Sequence, residues 1–125
     1  MVKQDTIHDE NGVNCVYCGK NFVLFATDKY IKAVSQHNIN LEATLKTTST
    51  PLYILKSDQP RVFVIVCKSE LLIVRVEKKC KRIEQVCTIR YDNDSRTPTC
   101  AFSAQTWFVV AFDNVLHYYF FKSDN

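Results

Sequence analysis

Two cysteines near the start of the chain have the spacing of a metal-binding finger. In the stretch VNCVYCGKNF, residues 13–22, two residues separate Cys15 from Cys18, and the aromatic Phe22 follows soon after. Thiolates at this spacing supply half of a tetrahedral zinc site, and two histidines on a helix about a dozen residues later complete it. A small zinc- or nucleic-acid-binding module around Cys15 and Cys18 is therefore the first function to test.

The second half of such a finger is missing. Ile31 stands where the first histidine is required, and His37 has no second histidine three to five residues after it. The intervening FVLFATDKYIKAV is β-branched and aromatic, which favours strands over a helix. A non-local site that combines the two cysteines with His37 and Cys67 stays open as an alternative. We nevertheless predict no metal and no cofactor, because free cysteines are commonly small buried apolar residues.

A second group of residues with chemical potential is basic. Lys78, Lys79, Lys81 and Arg82 form the most suggestive positive cluster of the chain, and they are our candidate binding residues. Clustered cations at a junction between strands contact phosphates without reading bases, so RNA is a candidate partner. The alternative, which we favour, is a solvated turn and strand edge where lysines discourage pairing between sheets.

Catalytic motifs are missing from the sequence. Its three histidines are scattered, and no glycine-rich phosphate loop, nucleophile elbow or pair of carboxylates at a useful spacing occurs. Asp92, Asn93 and Asp94 resemble the start of a calcium loop but lack its distant ligand, so we interpret them as loop residues. We therefore predict that the chain is not an enzyme and has no catalytic residues.

Composition defines the class of protein. The chain has 125 residues, of which 46% are apolar and 23% charged, and its formal net charge is +3. These values allow a folded core and do not require an anionic partner. The polar N-terminus has no secretory signal and no apolar run is long enough to cross a bilayer, so we expect an intracellular protein, cytoplasmic or nuclear, without membrane insertion. In that setting the six cysteines are expected to be free thiols.

An internal repeat accounts for these features better than a finger does. Three segments, which start at Phe22, Phe63 and Trp107, each contain an apolar strand, a two-residue polar turn and a second strand. Their starts are 41 and 44 residues apart, close to the spacing of about 40–45 residues expected for four-stranded propeller blades. A short apolar stretch precedes each hairpin, and a polar, alternating stretch follows the first two.

Two segments of this pattern have a second interpretation. The stretch KSELLIVRVEKKCKRIEQV has some helical periodicity, but its core LLIVRV is β-branched and favours strands. The aromatic residues of the third hairpin have the density of a stacking platform for bases. We expect them to be core residues that alternate between the faces of neighbouring blades. The set is Trp107, Phe108, Phe112, Tyr118, Tyr119, Phe120 and Phe121.

The sequence predicts an all-β fold of about three four-stranded antiparallel propeller blades in an incomplete ring. Residues 1–12 are expected to be a flexible N-terminal segment and residues 13–125 a partial β-propeller, with units at about 13–47, 51–89 and 99–121. A closed propeller needs at least about four blades. We therefore expect either a longer natural protein or a protein partner that completes the ring, with a small sandwich or barrel as the alternative fold.

The strand order and spacing resemble those of diverged WD-repeat β-propeller blades over about residues 13–121, although their Gly-His and Trp-Asp dipeptides are absent. The segment from Lys79 to Phe121 is similar to a blade of the non-catalytic propeller subunit of the tRNA guanine-N7 methyltransferase. The hairpin FVVAFDNVLHYYFF also resembles those of citron-homology propellers in vesicle-tethering proteins. These resemblances imply a non-catalytic scaffold for protein–protein interaction, in tRNA processing and other RNA modification or in membrane traffic.

Overall fold

The computed structural model of the protein describes residues 2, 4, 6–38, 40–91 and 97–122. In this part of the chain, three separate antiparallel sheets form. Sheet 1 contains β1 (Cys15–Cys18), β2 (Phe22–Ala26), β3 (Tyr30–Ser35) and β4 (Glu42–Lys46). Sheet 2 contains β5 (Pro51–Lys56), β6 (Val62–Cys67), β7 (Glu70–Val76) and β8 (Ile83–Arg90). Sheet 3 contains β9 (Cys100–Ser103), β10 (Trp107–Phe112) and β11 (Val115–Phe120).

The predicted all-β class is confirmed. In each sheet, strands that are consecutive in the chain are hydrogen-bonded neighbours, and the three predicted hairpins form the pairs β2–β3, β6–β7 and β10–β11. The stretch with helical periodicity forms β7 and β8, which are separated by one 3-10 turn at Lys78–Cys80. The β-branched side chains of β7 explain this outcome, since they pack well on a pleated surface. The suggested calcium residues Asp92, Asn93 and Asp94 lie outside the described residues.

Sheet 2 lies between the other two sheets, and β6 is buried along its whole length. Phe63 and Ile65 belong to a core shared with sheet 1, whereas Val64 and Val66 belong to a core shared with sheet 3. Successive side chains of a strand point to opposite faces of its sheet. A strand covered on both sides therefore needs apolar residues at every position, which explains the uninterrupted run VFVIVC.

Hydrogen bonds between the sheets fix their relative positions near the first strand of each sheet. The side-chain amide of Asn14 donates to the carbonyl oxygen of Pro51 at 3.1 Å, which joins sheet 1 to sheet 2. The hydroxyl of Tyr53 donates to the carbonyl oxygen of Thr99 at 2.7 Å, which joins sheet 2 to sheet 3. Pro51 is the first residue of β5, and Thr99 directly precedes β9. Each sheet therefore helps to position the first strand of the next sheet.

The last strand of sheet 2 contains a bulge that the sequence pattern does not show. Ile73 pairs with Cys87, but the next residue of β7, Val74, pairs with Gln85. Val86 is therefore an extra residue without a partner in β7, and the faces exchange at this point. The regular alternation predicted for this stretch is wrong there, because a bulge reverses the phase of the side chains that follow it.

Phe63 is the fully buried side chain that joins sheets 1 and 2 most directly. Its ring lies 5.0 Å from the ring of Tyr17 and 5.9 Å from that of Phe22, both in edge-to-face geometry. We expect Phe63→Ala to lower the free energy of unfolding by about 3–5 kcal/mol, because it leaves a cavity between two sheets.

Urea denaturation followed by circular dichroism measures this change. The control is Val86→Ala at the half-exposed bulge, which should alter the free energy of unfolding by less than about 0.5 kcal/mol. A loss for Phe63→Ala as small as that of the control would contradict the described packing of sheets 1 and 2.

Candidate functional sites: a basic depression and an apolar sheet face

Cys15 and Cys18 point to opposite faces of sheet 1, because an odd number of positions separates them along a strand. Cys15 packs against the core shared with sheet 2, whereas Cys18 is exposed. Burial raises the pKa of the Cys15 thiol to about 12 and that of Cys67, in the same core, to about 12. Burial thus disfavours the thiolate form that binds metal. Across the described ranges, no group of three His, Cys, Asp or Glu side chains is placed to hold a metal ion.

The predicted binding residues lie at the connection between β7 and β8. Lys78 and Lys79 are in the 3-10 turn, Lys81 and Arg82 follow it, and all four side chains are exposed. Lys79 (φ 61°) and Cys80 (φ 53°) are both in the left-handed region, which residues other than glycine adopt uncommonly. This reversal buries Cys80 in the core and leaves the lysines in solvent.

The structure adds two arginines to this cluster. The carbonyl oxygen of Arg61 accepts a hydrogen bond from the N–H of Val76 at 2.8 Å, which holds the turn before β6 against the end of β7. Arg75 lies in β7 and is exposed. Together with the lysines these residues line an open hollow, which we call the basic depression. Its lining residues are Pro60, Arg61, Arg75, Val76, Glu77, Lys78, Lys79 and Lys81.

The six cations of this cluster, four predicted and two added by the structure, divide into those that form an ion pair and those that do not. The guanidinium of Arg82 lies 2.9 Å from the carboxylate of Glu77 and 3.8 Å from that of Glu84. Arg75 lies 3.7 Å from the Glu84 carboxylate. In the part of the chain that the structure describes, the other four cations form no ion pair, and they are Arg61, Lys78, Lys79 and Lys81. The charge available for an anion therefore comes from these four residues, and Arg82 is already neutralised.

The outer face of sheet 3, which points away from sheet 2, is apolar throughout. The register of β9, β10 and β11 places eight uncharged side chains on it, which we call the apolar face: Cys100, Phe102, Trp107, Val109, Ala111, Leu116, Tyr118 and Phe120. Phe102 is 79% exposed and Phe120 is 70% exposed. The ring of Trp107 lies 6.3 Å from that of Phe120 and 6.0 Å from that of Tyr118.

The aromatic residues of the third hairpin therefore divide between two environments. Phe108 and Phe112 are buried against sheet 2, and Phe112 packs edge-to-face on Tyr91 with ring centroids 4.9 Å apart. Trp107 and Tyr118 lie on the apolar face, which no described residue of another sheet covers. The expectation of core residues on alternating faces is thus met on one face, and the other face is solvent-exposed.

The outer face of sheet 1, at the other end of the stack, is different because it carries charges and a cover. Lys32 pairs with Phe25 across β2 and β3 and so shares this face. Its ammonium group lies 2.7 Å from the carboxylate of Asp9 and 3.6 Å from that of Glu42. Asp9 precedes β1 in the chain, so this contact places the residues around Asp9 over the face, where Phe25 is buried.

Comparisons with known proteins bear on the fold. No protein-family model and no curated protein matches the chain. Among solved structures, the chain is similar to one described as the crystal structure of the computationally designed Ika4 protein, with a TM-score of 0.53 and 9% identity. The similarity covers 98% of this chain and 100% of that chain. At this identity the likeness concerns the fold alone. Over the described ranges, no helix has the length and apolar character needed to span a membrane.

The contact between Asp9 and Lys32 predicts a pH dependence. The hydrogen bond from Lys32 holds the pKa of Asp9 below its ordinary value of 3.8. The pKa of Asp9 is lower in the folded state than in the unfolded state. The contribution of the contact to folding stability is therefore fully present above the unfolded pKa and is lost as the pH falls through the folded pKa. We expect an NMR titration of the Asp9 carboxyl group to give a midpoint below 3.8, and Lys32→Met to move that midpoint upward.

The matched control is Glu42→Gln, which removes the other carboxylate beside Lys32 and should leave the Asp9 midpoint nearly unchanged. A wild-type midpoint at or above 3.8 would show that Asp9 does not contact Lys32 and that the residues around Asp9 do not cover the outer face of sheet 1. The predicted flexibility of residues 1–12 stays a prediction.

Proposed function

We propose that this chain is a non-catalytic β-propeller scaffold that mediates protein–protein interaction. The observation that carries this proposal is the apolar face. Folded monomers seldom expose a contiguous apolar patch larger than a few hundred Å², and such patches commonly mark interaction sites. The apolar face has no charged residue, and its residues Phe102 and Phe120 are 79% and 70% exposed. This is the composition of a surface that another protein covers.

The arrangement of the sheets supports the propeller part of the proposal. Each sheet is a meander, and the first strands of successive sheets, β1, β5 and β9, contact one another in order. The last strands of the first two sheets, β4 and β8, also contact each other. Small meander sheets stacked face to face in this order are typical of propeller blades, and this likeness supports the proposal. Over the described residues the three sheets do not form a closed ring, so the proposal includes further blades, supplied by a longer natural protein or by a partner protein, that complete the stack.

The resemblances suggest the setting in which such a scaffold would act. The segment from Lys79 to Phe121 is similar to a blade of the propeller subunit of a tRNA-modifying enzyme, and the third hairpin resembles those of vesicle-tethering propellers. A subunit of an RNA-modifying complex or of a membrane-traffic complex is therefore the role we propose. In either complex, the chemistry would belong to the partner, and this chain would position it.

Affinity purification of the tagged chain, followed by mass spectrometry, tests the scaffold. We expect a partner in near-stoichiometric amount with the wild type, and its loss from Tyr118→Lys, because a lysine on the apolar face would be buried without a counter-charge. Leu41→Lys, in the loop before β4, is the control and should retain the partner. A partner retained equally by all three proteins, or no partner at all, would contradict the proposed function.

A second candidate function, binding of RNA phosphates, is favoured by one observation. The fold brings Arg61, which lies 17 residues earlier in the chain than Lys78, to the same hollow as Lys78, Lys79 and Lys81. These four cations have no carboxylate partner in the described part of the chain. Contacts of this kind supply affinity without base specificity.

Salt titration of RNA binding tests this second function. Each lost phosphate contact should reduce the slope of log Kobs against log salt by about 0.7–0.9. The double variant Lys78→Gln/Lys81→Gln should therefore bind more weakly and with a shallower slope. Lys68→Gln, in the turn between β6 and β7, is the control and should keep the wild-type slope. Absence of RNA binding at low salt, or an unchanged slope in the double variant, would exclude the basic depression as an RNA site.

A further inference from the structure

We propose that the apolar face is covered by the apolar face of a second copy of this chain, so that two sheets 3 pack face to face around a two-fold axis. The inference rests on the proposed function, because it names the partner of the same surface. A two-fold interface uses one patch on both subunits, so that patch must be complementary to itself. An uncharged sheet face meets this requirement, since no like charges are brought together.

The area of the apolar face is sufficient for such a dimer. Aromatic side chains carry roughly 150–250 Å² of surface each, so the exposed parts of its large residues amount to about 600 Å². Two copies would together bury about 1,200 Å², which is at the lower limit of specific protein interfaces. The residues concerned are Phe102, Trp107, Leu116, Tyr118 and Phe120. A dimer that forms at micromolar concentrations is consistent with this area.

The molecule already contains two interfaces of the same kind. Sheet 3 packs on sheet 2 through Phe108, Val110 and Phe112, which alternate along β10 with residues of the apolar face. Trp107, Val109 and Ala111 are those alternating residues, and they are also apolar. Both faces of β10 thus have the composition of a surface between two stacked sheets. Sheets pack face to face with their strands about 30° apart, a geometry that a second sheet 3 can adopt.

A head-to-tail arrangement, in which sheet 3 of one copy covers sheet 1 of the next, is disfavoured by charge. Lys32, Asp9 and Glu42 form an ion-pair cluster at the outer face of sheet 1. An apolar sheet placed there would remove these groups from water without offering them a partner, at a cost in free energy. It would also have to displace Asp9 from its contact with Lys32. The apolar face of a second copy is therefore a better partner for the apolar face than the outer face of sheet 1 is.

Analytical ultracentrifugation of the full chain, from about 1 to about 100 µM, tests the dimer. We expect the wild type to sediment as a dimer at the upper concentrations. Phe102→Lys and Tyr118→Lys should each raise the dissociation constant at least about a hundredfold, because each buries an unpaired charge twice per dimer. Val16→Lys, at a 61% exposed position on the outer face of sheet 1, is the matched control and should leave the constant unchanged.

Each outcome supports or overturns the two-fold dimer. A wild type that is monomeric throughout this range overturns it, whether or not the variants fold. A dimer that survives both Phe102→Lys and Tyr118→Lys also overturns it. A dimer that Val16→Lys weakens as strongly as these two substitutions do overturns it as well, because that result indicates head-to-tail packing. Far-UV circular dichroism verifies that the variants are folded.

The test is separable from that of the scaffold. One outcome is a monomeric wild type that binds a different protein, with that protein lost in the Tyr118→Lys variant. This result would overturn the dimer and would leave the proposed scaffold function in place. A dimer that follows the expected pattern but binds no other protein would support the present inference and contradict the proposed role as a subunit of an RNA-modifying or membrane-traffic complex.

Discussion

The structure depends on the burial of β6, in sheet 2, on both of its faces. The run VFVIVC of β6 leaves no polar face, so this sheet requires an apolar neighbour on each side. Sheet 1 supplies one neighbour and sheet 3 the other, and this requirement accounts for the order of the stack. The same reasoning applies to sheet 3, which also has two apolar faces but only one described neighbour. Its second face is therefore the feature of this fold that most directly indicates an interaction.

Much of the fold follows from the sequence, because hairpin signals are local. Apolar strands joined by polar pairs such as Asp28-Lys29 indicate the three central strand pairs, and the β-branched LLIVRV favours a strand over a helix in β7. The bulge at Val86 is not predictable in this way, since it is defined by pairing with another strand. Alternation divides the third hairpin into two faces, but it does not show that the face with Phe120 is exposed to solvent, because a neighbouring sheet is not a local property.

The candidate sites show the same limit. The cluster of Lys78, Lys79 and Lys81 is visible in the sequence, whereas the contribution of Arg61 depends on the hydrogen bond that joins its turn to the end of β7. The neutralisation of Arg82 by Glu77 likewise requires the fold. The separation of Cys15 from Cys18 is an exception, because the two-residue period of a strand already sends them to opposite faces. The apolar face and the basic depression belong to different sheets, so under the proposed function they would be able to hold two partners at once.

Amide hydrogen exchange along β6, compared with β8, tests the central claim that β6 is enclosed on both faces of sheet 2. Strands that open only on global unfolding exchange most slowly, whereas exposed strands exchange through local opening. The account predicts that the amides of Val62–Cys67 are among the slowest of the chain and that those of β8, which is largely exposed after Ile83, are much faster. Equal exchange rates in the two strands would contradict it.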